Sequence, residues 1–244
     1  YIPIFNTIMQ KFGLNQGVFM HSETTLAVEY GKINFNLKKY LYFTLKRIFD
    51  ILVGFIGIIV MIPIAIVIKI FYLFSGDFKS IFFKQKRLGK DGKVMYIYKF
   101  RTMVYNAEEI LKQWLIDNED KRKEYFETRK IENDPRITKI GKILRETSLD
   151  EFPQFINIFK GEMSLIGPRP VVLDEADNYG KNKKKFLSLR PGLTGYWAAN
   201  GRSNTTYKER IKMELYYVDN CSLKLDSKIV LTTIKSVLKK EGAK

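Results

Sequence analysis

The sequence predicts an α+β protein, mostly helical with a small sheet, built onto an apolar membrane helix. Three observations carry that expectation. Ile51 to Ile68 form an uncharged run of 18 residues, Val94 to Arg101 are rich in strand formers, and apolar positions recur at helical spacing from residue 104 onward. The boundaries that follow are a linker or tail of a missing N-terminal domain at 1–40, a membrane helix at 41–76 and a globular domain at 77–244.

Residues 1–36 mix apolar and polar side chains without a clear period and carry no signal-peptide pattern. The first residue is Tyr1, which suggests that the sequence starts mid-chain. As a helix, the run ILVGFIGIIVMIPIAIVI covers about 27 Å at 1.5 Å per residue, which is membrane scale. It is apolar on every side and flanked by Lys46, Arg47 and Lys69, so lipid suits it better than a half-exposed core position. Pro63 removes one backbone hydrogen bond and should kink the helix. Basic residues at both ends leave a full span and a bent helix that returns to one face equally compatible.

The stretch Val94–Arg101 reads as a strand that puts Lys99 and Arg101 on one face. Residues 104–130 read as a charged helix with apolar positions at Ile110, Leu111, Trp114 and Leu115, a structural element rather than a site. Near the C-terminus, Tyr207–Val218 and Leu223–Leu238 are amphipathic; core packing and docking on anionic lipid explain them equally well.

Composition narrows the chemistry. Against 26 acidic residues stand 42 Lys and Arg, a formal charge of +16, so the partner is anionic: nucleic acid, an anionic leaflet or phosphorylated substrates. A single cysteine, Cys221, and a single histidine, His21, exclude disulfides and Cys/His zinc sites, which leaves carboxylates as acid, base or nucleophile. No GxxxxGK[ST] loop, GxGxxG fingerprint or Asp-x-Asp pair occurs.

The densest chemistry lies in SLDEFPQF (148–155). Ser148 and Glu151 have capping-box spacing and Pro153 suits a first turn, so a helix is expected to start near Ser148, with apolar positions at 149, 152, 155, 156 and 159. Asp150 and Glu151 would then stand in its first turn, about 100° apart. Helix capping alone explains such a pair. The alternative is an ionised dyad at an anion-friendly helix start, with Asp150 attacking phosphorus and Glu151 holding Mg²⁺. Lys99 and Arg101, Arg145, Arg169 between two prolines, and Arg202 supply cations suited to a diphosphate, although each alone reads as a solvated surface charge.

Taken together, KRIFDI (46–51), YKFRTM (98–103), NDPRITKIGKILRETSLDEFPQ (133–154), GEMSLIGPRP (161–170), RPGLTG (190–195) and NGRS (200–203) resemble the bacterial sugar transferase family, the monotopic phosphoglycosyl transferases, over about residues 46–240. The resemblance implies transfer of a hexose 1-phosphate from a UDP-sugar to undecaprenyl phosphate through a covalent aspartyl sugar phosphate. UMP is released, and capsule, exopolysaccharide or O-antigen assembly begins. It implies Asp150 as nucleophile, Glu151 as the carboxylate associated with Mg²⁺, and Lys99, Arg145, Arg169 and Arg202 around the diphosphate and carrier phosphate. It further implies a membrane helix that is re-entrant at Pro63, a catalytic domain on the cytoplasmic face of the bacterial inner membrane, contact with membrane lipids, and no nucleic-acid partner. Homo-oligomerisation is compatible with it.

Family members commonly place Ser before that proline. Here Ile62 stands there, so no hydroxyl helps satisfy the carbonyls freed at the bend. The stretch between YKFRTM and NDPRIT looks more like members that use galactose or glucose. A membrane-tethered nucleic-acid binder and a non-catalytic assembly scaffold are the rival readings, and both predict indifference to Asp150→Asn.

Overall fold

The computed structural model describes residues 22–118, 122, 125, 131, 134–201 and 205–238, with side chains from Leu37 to Ser236. The chain divides into two compact units, Tyr1–Leu45 and Lys46–Lys244. Within the first, the described backbone is helical from Ser22.

The elements of the second unit begin within α1 (Ser22–Phe74) and continue with a hairpin of β1 (Phe82–Leu88) and β2 (Val94–Phe100). Then come α2 (Ala107–Asp117), α3 (Lys139–Glu146), a 3-10 turn at Leu149–Glu151, α4 (Gln154–Lys160) and β3 (Ser164–Ile166). A kinked 3-10 segment, Asp174–Asn182, leads into α5 (Lys183–Phe186), β4 (Gly192–Thr194), α6 (Tyr196–Asn200), α7 (Tyr207–Asn220) and α8 (Leu223–Leu238). The described fold is thus mostly helical with two small sheets, β1–β2 antiparallel and β3–β4 parallel. The segment after Asp117, expected to continue as helix to residue 130, lies mostly outside the described residues.

α1 is long and apolar enough to cross a membrane, and its side chains are not apolar core on every side. Asp50, Gly54, Gly57, Met61, Ile68 and Tyr72 are buried, one stripe at spacings of three, four and seven. The other faces leave Phe55, Ile56, Ile59, Ile62, Ile66 and Phe71 more than half exposed. So much exposed apolar surface on one helix makes it a candidate membrane segment. Pro63 lies inside α1, which continues as helix to Phe74.

The buried stripe explains KRIFDI. Lys46 pairs with Asp226 of α8 at 2.7 Å. Arg47 donates to the Ile158 and Phe159 carbonyls at 2.7 and 2.9 Å, closing the C-terminus of α4. Asp50 accepts from Leu165 N at 2.8 Å and Ser164 Oγ at 3.1 Å, fixing α1 to β3. Close packing on α4 needs glycine: a Cβ on Gly57 would overlap the Phe155 ring, and one on Gly54 would stand 2.9 Å from Phe159 N. Further along, Met61, Ile68 and Tyr72 form a core with Ile81, Phe100 and Leu144.

Asn157, fully buried on α4, ties that helix to β2 by accepting from Tyr98 N and donating to the Tyr96 carbonyl. The motifs GEMSLIGPRP and RPGLTG become β3 and β4, paired Ser164 to Gly192 and Ile166 to Thr194. Their backbones approach so closely that a Cβ on Gly167 would overlap the Arg190 carbonyl. Leu88 N donates to the Val171 carbonyl at 2.9 Å, so the hairpin abuts the segment just after Arg169.

Candidate active site

The helix expected to start at Ser148 instead starts at Gln154. Ser148 sits at φ 57°, ψ 17°, outside the extended conformation of an N-cap, and its side chain makes no cap hydrogen bond. The capping box therefore does not form. The chain makes one tight 3-10 turn over Leu149–Glu151, and Pro153, with no N–H to donate, leads into α4. A non-glycine residue in the left-handed region immediately before two carboxylates is the kind of strain that functional sites hold.

Freed from capping, Glu151 turns to Lys99 of β2, whose Nζ lies 2.8 Å from Glu151 Oε1 and 3.9 Å from Asp150 Oδ2. One ammonium thus faces both carboxylates. Burial raises the Asp150 carboxyl above its usual range; Lys99 and Arg145 oppose that and Glu151 adds to it. For Glu151, burial also pushes upward, but Lys99, Arg169 and a hydrogen bond from Gln154 outweigh it and hold the carboxyl below its usual range. The two neighbours are therefore electrostatically unlike, as their proposed separate roles require.

A small cleft, partly open to solvent, lies beside this turn. Lys99, Glu151 and Arg169 line it, joined by Gln154, by Gly167 and Pro170 of GPRP, and by Gly192–Gly195 of RPGLTG. Residues from four of the quoted motifs, spanning 96 positions from Lys99 to Gly195, meet in one place. Arg169 is exposed at the cleft and its guanidinium lies 5.5 Å from the Trp197 ring centroid. Arg145 stands behind, donating from Nε to Thr102 Oγ1 at 3.0 Å and acting on Asp150 through its charge.

Arg101 goes elsewhere. β2 ends at Phe100, Arg101 N bonds the Ile81 carbonyl, and the side chain turns inward. It pairs with Asp77 at 2.9 Å, donates to the Ser80 and Met103 carbonyls and lies 4.4 Å from the Tyr72 ring centroid. It locks the end of α1 to the hairpin, so the expected shared face with Lys99 does not exist. Arg202 lies outside the described residues.

Four cleft residues escaped the sequence reading: Arg87, Gln154, Trp197 and Glu214. Only Glu214 carried a legible signal, a carboxylate on the apolar stripe of α7 between Ile211 and Tyr217. Among the described residues, no group of three or more His, Cys, Asp or Glu side chains gathers as a metal cage. Mg²⁺ needs none, because one or two carboxylates complete its octahedron with water and substrate phosphate. The adjacent Asp150 and Glu151 fit that donor set.

Residues 41–240 match the family model described as bacterial sugar transferase. An undecaprenyl-phosphate galactose phosphotransferase of Salmonella typhimurium is 38% identical over 242 residues, 99% of this chain and 48% of that protein. An exopolysaccharide production protein of Sinorhizobium fredii is 40% identical over 198 residues, 81% of this chain and 87% of that protein. A UDP-glucose:undecaprenyl-phosphate glucose-1-phosphate transferase of Klebsiella pneumoniae is 34% identical over 197 residues, 78% of this chain and 39% of that protein. The chain spans about half the length of the curated relatives that it matches end to end.

Proposed function

This chain belongs to the bacterial sugar transferase family, and on that premise we propose that it transfers a hexose 1-phosphate from a UDP-sugar to undecaprenyl phosphate, releasing UMP. The observation that carries the reading is the meeting of Glu151, Lys99 and Arg169 at one cleft, with Asp150 Oδ2 3.9 Å from Lys99 Nζ, on a body docked along an apolar helix. Galactose and glucose are the favoured hexoses, in line with the activities for which the Salmonella and Klebsiella relatives are named.

In the first step an ionised Asp150 oxygen attacks the phosphorus that bears the sugar. A phosphorus–oxygen bond to Asp150 forms, the bond to the UMP oxygen breaks, and UMP leaves. Lys99 and Arg169 hold the diphosphate, and Arg145 favours ionised Asp150. Glu151 would hold Mg²⁺, which when bound offsets the negative charge of the diphosphate. In the second step an oxygen of undecaprenyl phosphate attacks the same phosphorus and restores the Asp150 carboxylate. Lys99 lies within reach of both carboxylates.

The helix supports a membrane position suited to that acceptor. Its buried stripe contacts the same catalytic body at Asp50, through Ser164 and Leu165, and again at Tyr72, whose hydroxyl donates to the Arg101 carbonyl at 2.6 Å. Those ends are about 33 Å apart along a helix. A helix bound to one body over that length favours entry and return on one membrane face, with Pro63 as the bend, over a simple span. The cytoplasmic face of the inner membrane is where UDP-sugars and the carrier phosphate would meet.

The test is UMP release from full-chain protein in nanodiscs supplied with undecaprenyl phosphate, Mg²⁺ and a panel of UDP-sugars. Wild type should release UMP from one or a few donors, and folded Asp150→Asn from none. No release from any donor, or equal turnover by the variant, would reject the reading.

A further inference from the structure

Glu214 is 1% exposed and lies on the buried face of α7, yet it forms part of the cleft wall. Its Oε1 accepts a hydrogen bond from Arg169 N at 3.2 Å, which joins it to the GPRP turn. Its other oxygen, Oε2, is buried and has no hydrogen-bond partner. A buried carboxylate oxygen in that condition costs free energy unless something donates to it.

The neighbouring donors do not serve it. Arg210, one helical turn earlier, pairs through Nη1 with Glu175 at 2.8 Å and lies 4.8 Å from the Trp197 ring centroid. Its Nε and Nη2, and the Tyr179 hydroxyl, are themselves buried without partners. Four polar atoms of one cluster are therefore uncommitted beside the cleft, and only Glu214 among their owners lines it. Burial pushes the Glu214 carboxyl up to about 7, against the pull of Arg169 N, Arg210 and Arg169.

The ligand chemistry follows from charge. A phosphate would be repelled by this carboxylate, and the cations at Lys99, Arg169 and Arg87 already offer it a place. What suits Glu214 is a neutral donor held next to that phosphate, against the glycine backbone at Gly192 and Gly195 and the edge of Trp197. We infer that Glu214 accepts a hydrogen bond from a sugar hydroxyl of the donor substrate, on the ribose or on the transferred hexose, and so helps select the donor. The inference rests on the sugar-phosphate transfer reading.

Glu214→Gln tests it directly. The amide keeps an oxygen for Arg169 N and turns an NH₂ towards the position of Oε2, replacing an acceptor by a donor with little change of volume. Full-chain variant and wild type, matched by thermal melting, are compared in nanodiscs for binding of UMP and of magnesium pyrophosphate, and for KM and kcat with UDP-galactose and UDP-glucose.

A loss of UMP affinity of roughly 10-fold or more, with pyrophosphate binding unchanged, supports a contact to the ribose. Unchanged UMP affinity with a comparable rise in KM for UDP-sugar, and an altered preference between the two C4 epimers, supports a contact to the hexose. If all of these stay within about twofold of wild type, or if pyrophosphate affinity falls as far as UMP affinity, Glu214 recognises no hydroxyl and the inference fails. A wild type that neither binds UMP nor turns over any donor rejects the transfer reading itself, and the subsite with it.

Discussion

At the residue scale, the site depends on what happens to two adjacent carboxylates when helix capping is denied them. Ser148 in the left-handed region releases Glu151 from the cap, and Lys99 takes it at 2.8 Å while staying 3.9 Å from Asp150. Burial raises the Asp150 carboxyl and Lys99 opposes that rise. A nucleophilic Asp150 must be ionised, so activity should fall as pH drops through its pKa. Removing the opposing cation leaves burial less checked, which moves that pKa further up. The acidic limb of the UMP-release profile should therefore lie at higher pH in Lys99→Ala than in wild type. A limb that stays in place, or moves down, would mean that Lys99 does not act on Asp150. Lys99, Asp150, Glu151 and Arg169 were legible in the sequence because short motifs held them. The direction of Arg101 was not, because it depends on β2 ending one residue earlier at Phe100. Glu214 was hidden for another reason: its link to Arg169 spans 45 residues and exists only once α7 packs against the GPRP turn.

At the element scale, α1 acts as the spine of the catalytic body, and its interface with α4 sets the dyad turn that immediately precedes α4. Its apolar character and Pro63 were readable from the run 51–68; the docked stripe was not, since every position in that run is apolar or glycine. The stripe is chosen by partners about 100 residues away, Phe155 and Phe159, which meet Gly57 and Gly54. Gly57→Leu should overpack this contact and cost about 1–3 kcal/mol. In detergent-solubilised protein that is a fall of several degrees in melting temperature, with UMP release reduced because the turn shifts. Ile56→Leu, on the exposed face at 59% exposure, should melt and react like wild type. Equal melting of the two variants would show that α1 is not held through its glycines. The paired strands β3 and β4 were likewise legible as two motifs but not as partners, because parallel pairing across 28 residues leaves no local pattern.

At the scale of the whole molecule, a chain of formal charge +16 that includes a long apolar helix suits the two anionic substrates proposed for it, one soluble and one confined to lipid. The family resemblance extended over nearly all of the catalytic body and was met by a family match at 41–240. What it could not supply was the spatial order: which cations face the cleft, which one locks the fold, and which buried carboxylate lines the cleft beside them. In the proposed mechanism the Asp150 carboxylate takes the sugar phosphate. The most direct measurement of that step is peptide mass spectrometry of nanodisc-embedded protein quenched after incubation with Mg²⁺ and a reactive UDP-sugar, without undecaprenyl phosphate. A hexose-phosphate adduct is expected on the peptide containing Asp150, lost when undecaprenyl phosphate is added and absent from Asp150→Asn. UMP release with no adduct under rapid quench, or an adduct on another residue, would contradict it.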